Sequence, residues 1–222
     1  MEKIRAGVLK FQSEVFPQKR ELYEQAASSQ RPHSLFVTCT DSRVDPEGLT
    51  QSDPGDIFVE RNPGNLIPSY SLAALGGVSA SVEYAVSILK VRHIVVCGHS
   101  NCGGMNGILH PETVAGLPAV SRWLRFGAAA RERLLTENSQ EQNVNRLAEL
   151  NVLVQLENLQ THPCVIEQLK AGSLTLFGWV YEIHTGEVRE YVPAKDQFVP
   201  VSMLAEITDA HVAEHSERKL IV

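Results

Sequence analysis

The chain has little that would tie it to a nucleic acid, a membrane or an oxidising compartment. Twenty Lys and Arg stand against 26 Asp and Glu, a formal net charge of −6. No basic run occurs, so a polyanion partner is not expected. Long apolar stretches are also missing. Glu2, Lys3, Arg5 and Lys10 crowd the start and leave no room for the apolar core of a signal peptide, so a cytoplasmic location is expected. The longest stretch free of charge and histidine, from Asn62 to Val82, is broken by Pro63, Gly64, Pro68, Gly76 and Gly77. That pattern suits a buried loop leading into a helix and argues against a membrane span. Cysteine is scarce, with four in 222 residues. Without a secretory signal, four thiols point away from a disulfide framework and toward metal or redox chemistry.

What is present is an ordinary globular composition, 43% apolar, enough to bury a core without staples. Ile4, Val8, Phe11 and Val15 follow the helical period, and Glu21 to Ala27 suits a second short helix; together they form an N-terminal helical arm. Ser34 to Thr38 is β-rich. Asp56 to Glu60 follows an Asp53-Pro54-Gly55 turn, and His93 to Cys97 is a continuous apolar run of buried-strand type. Between these two, Val82, Ala85, Val86 and Leu89 give one apolar face to a helix over about Val78 to Lys90. Strand, helix, strand in that order predicts a right-handed parallel crossover.

Asn143 to Leu159 is apolar almost all round, as for a helix sandwiched between layers or subunits, and Pro163 opens another. Leu174 to Ile183 alternates as a strand, and Val188 to Val192 returns antiparallel after a His184 to Glu187 turn. The expected fold class is α/β: four parallel strands plus an antiparallel edge strand, flanked by helices. With no internal repeat or linker, a single domain is the simplest count: arm 1–28, α/β core 33–193, C-terminal segment 194–222.

The chemistry collects in two segments. Cys39-Thr-Asp-Ser-Arg43 begins where the first strand ends, and Cys97-Gly-His-Ser-Asn-Cys-Gly-Gly104 where the third ends. Ligand sites in open parallel sheets gather beyond the carboxyl ends of strands, so the segments can meet. Their meeting brings Cys39, His99 and Cys102 together, a donor set that suits zinc. Three protein ligands leave a position for water, whose pKa an open zinc lowers from about 15.7 to about 7. Asp41 lies close enough to orient the resulting hydroxide, and Arg43 would keep that carboxylate ionised and fixed. Without the arginine, Asp41 is itself a candidate fourth ligand that closes the site.

Blander readings compete. A cysteine at a strand end is usually core, and Cys97 and Cys164 are read so. Asp-x-Arg at a turn is commonly a surface pair. Gly98 to Gly103 after a strand could be a phosphate loop, but Gly104 and Met105 stand where Lys and Ser or Thr are needed. His33, His93, His110, His162, His184, His211 and His215 read as solvated or packed.

At these residues the chain resembles the β-class carbonic anhydrases, through Cys39-Thr-Asp-Ser-Arg43, Arg61-Asn62, Glu83-Tyr-Ala-Val86 and Gly98-His-Ser-Asn-Cys-Gly-Gly104. It is most similar to the bacterial branch associated with cyanate metabolism, through Pro118-Ala-Val-Ser-Arg-Trp-Leu124, Asn158-Leu-Gln-Thr-His-Pro163 and Gly178-Trp-Val-Tyr181. The resemblance implies reversible hydration of carbon dioxide to bicarbonate, one Zn2+ per subunit on Cys39, His99 and Cys102, and an Asp41/Arg43 dyad. It also implies substrate contacts from Gln30, Phe58, Tyr84 and the backbone of Gly103. In the family, Gln30 and Tyr84 would reach the metal from the partner subunit, so a homodimer or homotetramer is implied. Two positions depart from the plant-like pattern: Pro63 replaces a valine, and Ile88 a histidine proposed to shuttle protons. Phe36 and Thr38 differ from the tryptophan and glycine of the bicarbonate-inhibited subclass. Two other functions stay open: hydrolysis of carbon disulfide or carbonyl sulfide, and a closed-zinc module that senses bicarbonate.

Overall fold

A computed structural model describes residues 1–72, 75–137 and 143–204. Six strands form one sheet: β1 (Ser34–Cys39), β2 (Ile57–Asn62), β3 (His93–His99), β4 (Thr175–Tyr181), β5 (Val188–Val192) and β6 (Gln197–Pro200), in the order β2-β1-β3-β4-β5-β6. The first four run parallel, β5 pairs antiparallel with β4, and β6 antiparallel with β5. The strand β6 extends the expected antiparallel edge by one, inside the stretch assigned to the C-terminal segment. It is only four residues long and ends at Pro200, which can close an edge strand but cannot donate into a ladder. His211 and His215 lie outside the described residues.

Ten helices accompany the sheet among the described residues: α1 (Glu2–Lys10), α2 (Phe16–Gln18), α3 (Arg20–Ala26), α4 (Pro46–Thr50), α5 (Gly77–Glu83), α6 (Gly103–Leu109), α7 (Pro118–Leu124), α8 (Ala128–Thr136), α9 (Val144–Leu159) and α10 (Pro163–Lys170). A π turn at Tyr84–Ile88 prolongs α5, so the helix expected over about 78 to 90 is one continuous rod of two hydrogen-bond types. No helix among the described residues is long and apolar enough to cross a membrane.

Alternation along the strands separates two faces. Leu35, Val37, Ile94, Val96 and Val180 point into a core shared with Val82 and Val86 of the α5 rod, Val152 of α9 and Val165 of α10. Phe36, Val95 and Cys97 point the other way, toward Leu49 of α4 and Trp179. Each fully buried Leu, Val or Ile contributes roughly 1.5–3 kcal/mol by leaving water, so β1, β3 and β4 are the anchored part of the sheet.

The central helix α9 starts at Asn143, whose side chain accepts from the Arg146 N–H, an N-cap that satisfies one of the free donors of a helix start. Its buried residues fall on more than one side: Leu147, Leu150 and Val154 pack with α6 and α8, and Val152 and Leu159 with the sheet. Gly98 lets α9 approach β3 closely; a Cβ there would stand 3.0 Å from Val152 Cγ2 and 3.3 Å from the Ala148 carbonyl. The helix is thereby seated directly beside His99.

Candidate metal centre

The strand order places the site. β1 and β3 are neighbours, and the chain leaves them toward opposite sides, so their carboxyl ends flank a crevice. Cys39 is the last residue of β1 and His99 the last of β3. Three residues on, Cys102 caps the N-terminus of α6. The two sulfurs stand 3.9 Å apart, and the ligand atoms of Cys39, His99 and Cys102 all lie within 4.8 Å of one another, buried. Among the described residues this is the one such cluster. Two thiolates on a tetrahedral zinc at about 2.3 Å would be about 3.8 Å apart.

The histidine is prepared in a particular way. Its Nδ1 lies 2.9 Å from the Ser100 carbonyl, to which it donates, and that leaves a lone pair on Nε2. Nε2 is buried and has no partner. An unsatisfied acceptor of this kind costs on the order of 1–3 kcal/mol, and a metal ion would relieve it. The residues present fit a zinc ion.

The thiols are tuned by their surroundings. The Cys102 thiol, the first cause, holds Cys39 toward thiolate, opposed by burial and helped by His99 and by the amide N–H groups of Gly64 and Asp41. Cys102 is pushed the other way by the same hydrogen bond and by burial, while the amides of Met105 and Gly104 pull it back. By contrast Cys97, fully buried, is pushed up to about 12 by desolvation, as suits an inert core thiol. Cys164 is half-buried and also raised by desolvation.

Beside the cluster, Asp41 binds Arg43 through both oxygens: Nε donates to Oδ1 at 2.9 Å and Nη2 to Oδ2 at 2.7 Å, with the Arg43 amide also on Oδ1. The Arg43 guanidinium is the first cause holding the Asp41 carboxyl far below its usual range. Asp41 Oδ2 stands 3.9 Å from the free His99 Nε2, so the carboxylate faces the cluster without joining it. Arg43 Nη2 also donates to the Asn101 carbonyl at 3.1 Å, which ties the loop after β1 to the loop after β3.

Sequence reasoning left two contributors unassigned. Arg61, at the end of β2, donates to the carbonyls of Cys39 and Asp41 and so fixes the turn that carries both. Gly64 donates its N–H to Cys39 Sγ at 3.4 Å. The signal for both was Arg61-Asn62-Pro63-Gly64 at the end of the strand paired with β1.

The remaining expected site residues divide. Gly103 opens α6 next to Cys102, and a Cβ there would meet no atom within 4 Å, so that side is open. Gln30 is exposed between α3 and β1. Phe58 sits opposite Leu35 while Asn62 sits opposite Cys39; four residues of strand separate them, about 13 Å. Phe58 instead lies 6.0 Å from the ring of Tyr84, which is 44% exposed. Within one chain, then, Gln30, Phe58 and Tyr84 are not brought to the metal-type cluster.

The family model described as carbonic anhydrase matches residues 34–188. A carbonic anhydrase of Pseudomonas aeruginosa is 45% identical over 213 residues, 93% of this chain and 94% of that protein. Carbonic anhydrase 1 of Escherichia coli O157:H7 is 47% identical over 204 residues, 91% of this chain and 93% of its own. Among solved structures, the β-carbonic anhydrase CcaA superposes with a TM-score of 0.85 at 41% identity, covering 90% of this chain and 98% of that one. One of two tetrameric β-carbonic anhydrases from Sordaria macrospora gives 0.74 at 30% identity, with 85% and 95% covered. With its parallel sheet and its Cys-His-Cys cluster at the β1/β3 crevice, this chain belongs to the β-class carbonic anhydrases.

Proposed function

We propose that Cys39, His99 and Cys102 hold one Zn2+ per subunit and that the site hydrates carbon dioxide reversibly to bicarbonate, with Asp41 and Arg43 as a working dyad. The observation that carries this reading is the unpartnered, buried Nε2 of His99 facing two sulfurs 3.9 Å apart. Bound zinc supplies a Lewis acid that makes water acidic enough to react at neutral pH. Asp41, ionised and an acceptor only, can take a hydrogen bond from the reacting water and set its direction. Both of its oxygens are engaged by Arg43, which opposes a swing into the metal as a fourth ligand and favours an open site. The Gly103 end of α6 gives the incoming oxygen a backbone donor.

Gln30, Phe58 and Tyr84 are proposed to line the substrate pocket of a second copy, since they lie away from the cluster of their own chain. A homodimer or homotetramer follows. The arm supports it: α1 buries none of its residues, and Ile4, Val8 and Leu9 are each more than half exposed. The Sordaria relatives are described as tetrameric. Four free thiols among the described residues suit the cytoplasm. The motifs around Trp123, Asn158 and Trp179 support a role in restoring bicarbonate consumed by cyanate breakdown. A deletion strain would then fail on cyanate as nitrogen source in air and recover in high carbon dioxide.

Stopped-flow hydration of carbon dioxide and zinc content, measured on one sample, test the central reading. About one zinc per chain with hydration is expected. Zinc with hydrolysis of carbon disulfide or carbonyl sulfide instead would move the substrate, and zinc whose cobalt-substituted spectrum ignores pH and anions would make the site a closed sensor.

A further inference from the structure

The segment from Pro63 to Tyr70, directly after β2, is irregular, yet most of it is buried. Its backbone turns through the left-handed region at two neighbouring positions, φ +82° at Gly64, which a glycine adopts freely, and +46° at Asn65, which costs a residue with a Cβ. Buried irregular backbone has to be satisfied group by group. Asn62 closes the turn on Leu66, accepting from its N–H at 2.7 Å and donating to its carbonyl at 3.0 Å. Trp123 Nε1 of α7 donates to the Pro63 carbonyl at 2.8 Å. The rest is done by one stripe of α9 and the turn after it. Asn151 donates to the Gly64 carbonyl at 3.1 Å, and Gln155 accepts from the Ile67 N–H at 2.7 Å. Asn158 donates to the Ile67 carbonyl at 2.8 Å, and His162 Nε2 to the Pro68 carbonyl at 3.1 Å. Gln155 also donates to Asn151 Oδ1 and accepts from Asn158 Nδ2, so the amides form a connected ladder.

Asn151 and Gln155 in α9 and His162 in the turn after it are fully or almost fully buried. Three polar side chains in such places cost stability unless they do something an apolar face could not. What they hold is the loop that carries the Gly64 N–H pointing at Cys39 Sγ; the carbonyl of that N–H's own peptide, Pro63, is the one Trp123 binds. The same loop comes so close to α6 that a Cβ on Gly104 would stand 2.9 Å from Gly64 Cα. Gly64 is thus pressed between Asn151 on its carbonyl side and the sulfur on its amide side.

We propose that the Asn151–Gln155–Asn158 ladder of α9, with Trp123 opposite, positions the Gly64 N–H on the Cys39 thiolate and thereby sets how tightly the site holds its metal. The ladder residues are positioning residues: none touches a metal ligand, and they act through the loop. The inference rests on the zinc reading above. An N–H donor on a metal thiolate favours its charged form and fixes its lone pairs, and loss of outer-shell partners of this kind typically lowers metal affinity about 10–100-fold.

The test is metal affinity by chelator competition, together with the sulfur-to-metal absorption of the cobalt-substituted protein, for wild type, Asn151→Leu, Trp123→Phe and Val165→Ala. Val165 of α10 is buried in the same apolar cluster as Ile67 but takes part in no hydrogen bond of the ladder, so it reports loss of packing alone. Asn151→Leu is expected to weaken zinc at least 10-fold and shift the cobalt–thiolate band, with Trp123→Phe smaller in the same direction and Val165→Ala unchanged in both. Trp123→Phe keeps the ring, so it decides the matter if Asn151→Leu does not fold. Affinity and band within twofold of wild type in both loop variants would overturn the proposal, as would an equal loss in Val165→Ala. Wild type that binds no metal at all would instead overturn the zinc reading on which the proposal stands.

Discussion

The crevice between β1 and β3 and the N-terminal arm contrast in how far one chain completes them. In the crevice, the described contacts engage both oxygens of Asp41, one nitrogen of His99 and the carbonyls of Cys39 and Asn101, while His99 Nε2 is left free on the inside. In the arm, α1, α2 and α3 bury no residue. Phe11, Phe16 and Tyr23 pack as a small cluster of rings 5.3 to 6.2 Å apart. The crevice is unsatisfied at a single atom, which suits an ion; the arm is unsatisfied over a surface, which suits another protein chain. A polar site short of one partner and an apolar arm short of a covering surface, on one chain, support the proposed sharing of the site between copies.

The comparison breaks most sharply at the ligands. Replacing His99 with Ala removes one of three donors, and zinc content should fall below one tenth per chain, with carbon dioxide hydration down by about three orders of magnitude or more. Elemental analysis and stopped-flow kinetics read both. Retention of stoichiometric zinc would mean that the cluster is not the metal centre.

The arm gives the next effect. Removal of residues 1–27 should convert the assembly to smaller species in sedimentation and, on the proposal that Phe58 and Tyr84 serve a second copy, lower hydration at least about 10-fold. A truncated protein with unchanged mass and rate would show the arm to be ordinary surface.

The smallest effect concerns the start of α9. Arg146 holds Glu137 and Glu149, and Glu149 in turn holds Arg189 of β5. The Arg146 hydrogen bond is the first cause holding the Glu137 carboxyl below the ordinary value of 4.5. A depressed acid stabilises the fold above its unfolded pKa, and that stability is lost as pH falls through the folded value. Glu137→Gln should therefore cost up to about 1 kcal/mol near neutral pH, for a partly exposed pair. The difference from wild type should vanish once the pH falls well below 4.5. Urea titrations at several pH values check the sign; a difference that grew in acid would contradict it.

How much was legible beforehand follows the same division. Strands β1 and β3 were readable because both are apolar runs buried on two faces, and their ends delivered Cys39 and His99 to adjacent places once the sheet was parallel. Strand β6 was not, since Gln197-Phe-Val-Pro is too short to show alternation and contains a proline. The polar ladder was hidden inside a helix that reads as apolar almost all round: Asn151, Gln155 and Asn158 look like ordinary amides until the spacing of four and three is set against the absence of a solvent face. His162, read as solvated or packed, is buried and donates to Pro68. Gln30, Phe58 and Tyr84 could be named only by resemblance, because nothing local says that a residue serves another chain.

The most direct measurement of the central claim is carbon dioxide hydration by Asp41→Asn with zinc content determined on the same sample. The account predicts about one zinc per chain, as in wild type, with turnover reduced about 10²–10⁴-fold, the range associated with losing a positioned acid–base group. Unchanged turnover at full zinc occupancy would contradict it, since the carboxylate that Arg43 holds toward the metal-type cluster would then have no part in the reaction.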